Sequence, residues 1–239
     1  MMKQNGITFG GLHSYRDLGL TLKEKEIGQP EKEKALVKVP FSDIEYDFSE
    51  LYGDQNMSTR NLSYTFNVYD AKNHTKEQMN RLKTRAINHF MTQSRMVELY
   101  DDAYPNWHFL AEVRSEPSFS ESNALGELTV EFEAYKFMLS NELEGNDIWD
   151  IFDFDFDIAQ ETSVTIDGFR QVFLINNSST VVSPDIKASS DFVIDFNGVT
   201  YLVDKGWSSD PDFRLTSKIN ILNVTGNGTI EFNWRKEMI

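Results

Sequence analysis

In the run from Arg60 to Tyr69, RNLSYTFNVY, the nine residues from Asn61 onward alternate without a break. In an extended chain Leu62, Tyr64, Phe66 and Val68 project to one side, and Asn61, Ser63, Thr65, Asn67 and Tyr69 to the other. A strand with one wholly apolar face needs a core beneath that face and partner strands at its edges. The flanking sequence supplies candidates for both. Trp107–Arg114 reads as a strand, and GELTVEFEAYKF (126–137) as another, with Leu128, Val130 and Phe132 on one face. A helix is expected after Thr75, because Thr75-Lys76-Glu77-Gln78 has the capping-box pattern. Met79, Leu82, Ala86 and Phe90 then fall on one helical face at spacings of three and four. One helix laid over a strand-rich sheet is a common way to close a core.

The second part of the chain reads as all-β. Expected strands are Ser163–Phe169 and Arg170–Ile175 around an Asp167-Gly168 turn, and Asp191–Phe196 and Val199–Val203 around Asn197-Gly198. A further pair, Lys218–Val224 and Thr229–Trp234, flanks Gly226-Asn227-Gly228. Short strands with regular turn signals point to a β-sandwich. Charge composition changes along the chain: residues 1–140 hold 21 acidic and 16 basic side chains, residues 141–239 hold 17 and 7. The polar stretch Ser140–Asn146 is the expected boundary between domains 1–140 and 141–239. The fold class is therefore mainly β with one helix, α+β.

With 38 acidic against 23 basic residues the net charge is -15, which argues against a nucleic-acid partner, since phosphate contacts require a basic stripe. With no cysteine in the chain, disulfides, thiolate catalysis and zinc–thiolate sites are excluded. The start MMKQNGITFGG lacks the apolar core of a secretory signal, and no run approaches the length of a membrane span, so neither export nor a membrane partner is expected.

Between Lys23 and about residue 45 the chain reads as an extended arm. Charges alternate between Pro30 and Pro40, and a polar turn, Phe41 to Ile44, follows. An arm that buries little of its own surface reaches something else, often a second copy of the chain. Pro30, Lys32, Lys34, Val37, Val39, Pro40 and Phe41 are its candidate assembly residues.

These segments, taken with their neighbours, resemble the distal tail protein (Dit) family of long-tailed, non-contractile phages. The resemblance is carried by Gly6–Gly11 (GITFGG), Asp17–Leu20 (DLGL), the Val39-Pro40 turn, Tyr46–Gly53 (YDFSELYG), Arg60–Phe66 (RNLSYTF) and the ending Gly228–Arg235 (GTIEFNWR). The sequence departs from the family where a Gly-Arg-Asp-Gly turn often follows the Val-Pro pair; here the place reads Phe41-Ser42-Asp43-Ile44. The resemblance implies an N-terminal split-barrel-like β-sandwich that forms a ring, a hexamer in the family, and a C-terminal galectin-like β-sandwich. It also implies a virion protein of the tail tip, made in the bacterial host cytoplasm, in the plain form without inserted carbohydrate-binding domains. Its implied partners are further copies of itself, the tail tube protein, the tail-tip or tail-associated lysin protein, and receptor-binding or baseplate proteins. No enzyme activity, catalytic residue, metal or cofactor is implied.

Two other readings start from single segments. In Asp147–Glu161, DIWDIFDFDFDIAQE, an extended conformation would put Phe152, Phe154 and Phe156 on one face and Asp153, Asp155 and Asp157 on the other. Carboxylates there could bind calcium or hydrolyse a glycoside, although same-face neighbours about 7 Å apart form a solvated row more readily than a tight site. The aromatics Trp207, Tyr201, Phe213 and Trp234 could instead stack on a sugar, making the chain a cell-wall carbohydrate-binding module, or fill a core or an interface; Trp207, in the loop-like Lys205–Pro211, and Tyr201 are the candidate saccharide contacts. The histidines, 13, 74, 89 and 108, are scattered, and His89 beside Phe90 reads as a core-edge residue.

Overall fold

The structure is a computed structural model that describes residues 5–49, 55–69, 75–146 and 148–239. The chain is mainly β with a single described α-helix, and it divides into two compact units, one running to Met138 and one from Leu139 to Met238.

In the first unit the strands are β1 (Ile7–Phe9), β2 (Leu12–His13), β3 (Thr21–Ile27), β4 (Leu36–Lys38), β5 (Glu45–Asp47) and β6 (Arg60–Val68). Helix α1 (Lys76–Met91) follows, then β7 (Val97–Asp101), β8 (Trp107–Val113), β9 (Ser118–Ser122) and β10 (Leu125–Ala134). Seven of these strands form an antiparallel sheet in the order β2-β1-β7-β8-β10-β6-β3, with β9 added to β10. The alternating strand is central: β6 pairs with β10 over nine residues, Phe66 opposite Leu128 and Leu62 opposite Phe132. Its apolar row is buried, as the alternation requires, and the polar row bonds across strands, as in Thr65 Oγ1 to Thr129 Oγ1 at 2.9 Å. Two residues of the buried row carry polar ends: Arg60, at the start of the strand, donates to the Lys136 carbonyl, and the Tyr64 hydroxyl donates to Asp101, which Lys25 pairs at 2.7 Å. Burial and that carboxylate hold the phenol well above its usual pKa.

Helix α1 lies over β6 and β10. Thr75 caps it by accepting from the Gln78 amide, and Met79, Ala86 and Phe90 are buried. Phe90 stacks on Phe66 and meets Phe132 edge-on, so the apolar face read from helical spacing closes the core.

From Leu139 onward the strands are β11 (Met138–Leu143, entered from the first unit), β12 (Ser163–Asn176), β13 (Asp185–Ala188), β14 (Phe192–Phe196), β15 (Val199–Val203), β16 (Gly206–Ser208), β17 (Lys218–Asn233) and β18 (Arg235–Met238). β18 pairs with β11. The rest form one sheet in the order β15-β14-β17-β13-β16, with β12 along β17. The Asn197-Gly198 hairpin forms as read, both residues at positive φ (53° and 81°), the requirement of a type I′ turn.

The other two turns read from the sequence do not exist. β12 and β17 are each continuous and pair along their whole lengths, Ser163 opposite Glu231 through Asn176 opposite Lys218. Gly168 lies opposite Gly226 in the middle of that ladder. The glycines bend two long strands rather than reversing the chain. Val164 and Ile166 before the bend thus share a core with Val172 and Leu174 beyond it.

Two further expectations change. Lys23–Ile27 is not the root of a free arm: it belongs to β3, which pairs with β6 at the sheet edge. The segment containing Asp153, Asp155 and Asp157 is not a strand. It forms a 3-10 turn at Trp149–Ile151 and then a carboxylate-capped loop, in which Asp157 accepts from the Asp153 amide and Asp153 from the Asp155 amide. Short Asp side chains bond neighbouring amides well enough to outcompete an extended pairing. Its first residue, Asp147, lies outside the described residues.

Candidate assembly site

What projects from the first unit is a hairpin. β4 and β5 pair only with each other, Leu36 opposite Asp47, Val37 opposite Tyr46 and Lys38 opposite Glu45. Outer main-chain bonds extend the register, Phe48 to Ala35 below and Val39 to Ile44 above. Cross-strand partners share a face, so the hairpin is amphipathic. One face carries Ala35, Val37, Val39, Ile44, Tyr46 and Phe48. The other carries Lys38, Glu45, Asp47 and Lys34, with Leu36 among them. Lys34 pairs with Asp47 at 2.9 Å, and the Ser49 hydrogen bonds, joined by Lys34, hold the Asp47 carboxyl well below its usual range.

Among the described residues nothing covers the apolar face: Val37, Ile44, Tyr46 and Phe48 are all exposed. The tip is more extreme. Phe41 is fully exposed at a positive φ of 60°, a conformation costly for a residue with a Cβ. A two-stranded ribbon is marginal in water, and this one exposes its most apolar surface.

The structure distributes the seven candidate arm residues unequally. Val37 and Val39 lie on the apolar face, and Pro40 and Phe41 form the tip. Lys34 lies on the charged face. Lys32 sits at the base, bridged to Met57, and Pro30 precedes it. Ile44, Tyr46 and Phe48 were not among the candidates, although their alternation in Ile44-Glu45-Tyr46-Asp47-Phe48 is a period-two signal of the kind that identified β6. The remainder of the Tyr46–Gly53 motif, from Glu50, lies outside the described residues.

The sugar-reading aromatics lie apart, Tyr201 on β15 and Trp207 on β16, at opposite ends of the strand order. Tyr201 packs edge-on to buried Phe213 and donates to the Asp212 carbonyl. Trp207 is 67 % exposed, with Lys187 Nζ 5.7 Å from its ring centre. Of the histidines, His89 bonds the Phe9 carbonyl at 2.7 Å from the core edge. His13 is buried, its Nδ1 accepting from the Tyr15 and Arg16 amides, which leaves Nε2–H to face Asp102. His74 lies outside the described residues.

The carboxylate segment is anchored by a group the sequence does not announce. Lys236, from β18, is buried, and its Nζ lies 2.5 Å from Asp157 Oδ1, 2.5 Å from the Phe156 carbonyl and 3.3 Å from Glu144 Oε1. Burial raises the pKa of Glu144, and the Lys236 cation opposes that rise. Asp157 is thus committed to an internal ion pair, which pins the loop to the unit's core.

No protein-family model matches this chain, and no curated protein does. Among solved structures it is similar to the Dit protein (gp 19.1) of phage SPP1, described as a paradigm of the hub adsorption apparatus of phages infecting Gram-positive bacteria. The TM-score is 0.65 at 11 % identity over 98 % of this chain and 99 % of that one. A second match is the baseplate of phage p2 in its activated conformation, at TM-score 0.43 and 9 % identity over 98 % of this chain and 96 % of that one. From its first strand to its last, this chain is similar in fold to the SPP1 Dit protein.

Proposed function

We propose that this chain is a structural hub protein of a phage tail, acting at the tail tip and not as an enzyme. The likeness of fold to the SPP1 Dit protein over nearly all of both chains supports the hub role. The observation that carries the assembly reading is the apolar face of the β4–β5 hairpin, which is uncovered among the described residues and open to another molecule. In this reading the N-terminal domain, residues 1–140, forms a hexameric ring, each hairpin laying Val37, Val39, Ile44, Tyr46 and Phe48 on the next copy. The ring joins the tail tube protein to the tail-tip protein. The C-terminal domain, residues 141–239, is read as a galectin-like sandwich that carries host-recognition or baseplate proteins.

Light scattering across a concentration series tests the ring. The expected mass is six times 27.6 kDa. Val37→Asp combined with Tyr46→Asp should return monomer with an unchanged melting temperature, because neither side chain touches the core. A double variant that keeps the wild-type mass would remove the hairpin from the assembly. The exposure of Trp207 supports a second reading, a saccharide-binding module; glycan-array signal lost in Trp207→Ala would favour it.

A further inference from the structure

β12 has a second edge that β17 does not use. The ends of that edge are closed by side chains. At one end the Ile175 amide donates to Gln160 Oε1 and Gln160 Nε2 donates to the Ile175 carbonyl, both at 2.8 Å. At the other end Arg170 donates to the Thr165 carbonyl at 3.3 Å and also pairs with Glu161. Ile175 and Thr165 therefore turn their main-chain groups away from β17. Main-chain direction alternates along an antiparallel strand, so Phe169, Gln171 and Phe173 turn theirs away as well. Among the described residues these three amides and three carbonyls have no partner. Natural proteins protect such edges with charge, proline or short strands, and here only Arg170 is charged between Phe169 and Ile175.

Of the outward-facing side chains along this edge, Phe169 and Phe173 are apolar, and Gln171 between them bonds Asn223 on β17. Phe169 and Phe173 are 63 % and 54 % exposed, and Ile221 and Ile219 continue the surface on β17, opposite Phe173 and Ile175. Where the edge ends, at Gln160, a cavity of about 360 Å³ opens, lined by Ile148, Trp149 and Phe152. The adjoining loop carries Asp150, Asp153 and Asp155, and Asn177, just past β12, holds it through the Phe156 carbonyl. An apolar edge with open hydrogen-bonding groups is thus flanked by carboxylates, in a part of the chain holding 17 acidic and 7 basic residues.

We propose that the β12 edge receives an extended segment of another polypeptide, one that alternates apolar side chains with lysine or arginine. The segment adds a strand beside Phe169–Phe173, its main chain taking the open amides and carbonyls. Its apolar side chains cover Phe169 and Phe173, and its cations meet Asp150, Asp153, Asp155 and Glu161. The charge balance selects this occupant over a second copy, whose own acidic surface would be brought against an equal one. The proposal does not depend on ring formation by the hairpin.

The test uses the full chain and a fluorescein-labelled nonapeptide alternating valine and lysine, with a valine–glutamate peptide as control. Saturable anisotropy is expected with the lysine peptide alone, weakening as salt rises, together with slowed hydrogen exchange at the Phe169, Gln171 and Phe173 amides by NMR. Gln171→Pro removes an outward amide and leaves the β17 ladder intact, so its affinity should fall about tenfold or more. Phe173→Lys, a surface change that does not threaten folding, should weaken binding similarly. Equal affinity in both variants, equal binding of the glutamate peptide, or unprotected amides would overturn the proposal. Protection of the same amides on concentrating the protein alone, with a doubled mass, would overturn it in favour of a second copy.

Discussion

Lys236 shows how much one side chain can decide. It brings a cation into the core of the second unit, where Asp157, Glu144 and a main-chain carbonyl receive it. Removing one partner of a buried ionic cluster strands the others, so Lys236→Met should cost about 3–5 kcal/mol by urea denaturation. Glu144 adds a pH signature. Its folded pKa is raised above the ordinary 4.5, so the folded chain holds its proton more tightly than the unfolded chain does. Its contribution therefore falls as pH climbs from about 4.5 through the raised value. Wild type should lose stability relative to Glu144→Gln across that window, and parallel denaturation series at several pH values would show it. A constant difference would mean that Lys236 offsets the burial completely. None of this was legible beforehand, because nothing in Glu144, Asp157 and Lys236 as a sequence places them within bonding distance.

At the scale of elements, legibility followed periodicity. β6 and α1 were readable because their partners lie on one side and the repeat records it. The glycines of β12 and β17 misled, because a glycine that bends a strand and one that reverses a chain look alike in sequence. Substitutions separate them. Gly226 has φ +151°, and an added Cβ would sit 2.4 Å from the Phe192 ring and 3.0 Å from the Asp191 carbonyl. Gly226→Ala should therefore cost about 3 kcal/mol or more, from clash and backbone strain together. Opposite it, Gly168 has φ +78° with open space around it, so Gly168→Ala should cost about 1–2 kcal/mol of strain alone. Denaturant midpoints that rank the two the other way would contradict a packed bend at Gly226. The β4–β5 hairpin was half legible: the arm was, but its apolar face needed a register to become visible.

At the scale of the whole molecule, the net charge of -15 means that copies repel one another over most of their surface. Any assembly has to use surfaces poor in charge, and the apolar hairpin face is one. Assembly should therefore strengthen with added salt, because screening reduces the repulsion while leaving apolar burial intact. Light scattering at low and at high ionic strength would check the sign. Mass that falls with salt would instead point to an interface held by ion pairs.

The sequence by itself determined the mainly β class, the core faces of β6, β10 and α1, the Asn197-Gly198 hairpin and the presence of an arm. These are local properties: a repeat of two or of 3.6, a cap, a turn dipeptide, a charge pattern. Only the tertiary structure decided that β12 and β17 run unbroken through their glycines and that the Asp153–Asp157 segment curls into a loop. It also decided that Lys236 closes on Asp157 and Glu144, and that one edge of β12 stays open. Each of those depends on which distant segment lies alongside, and burial, pairing and electrostatics between distant segments are set by contacts that no local pattern encodes.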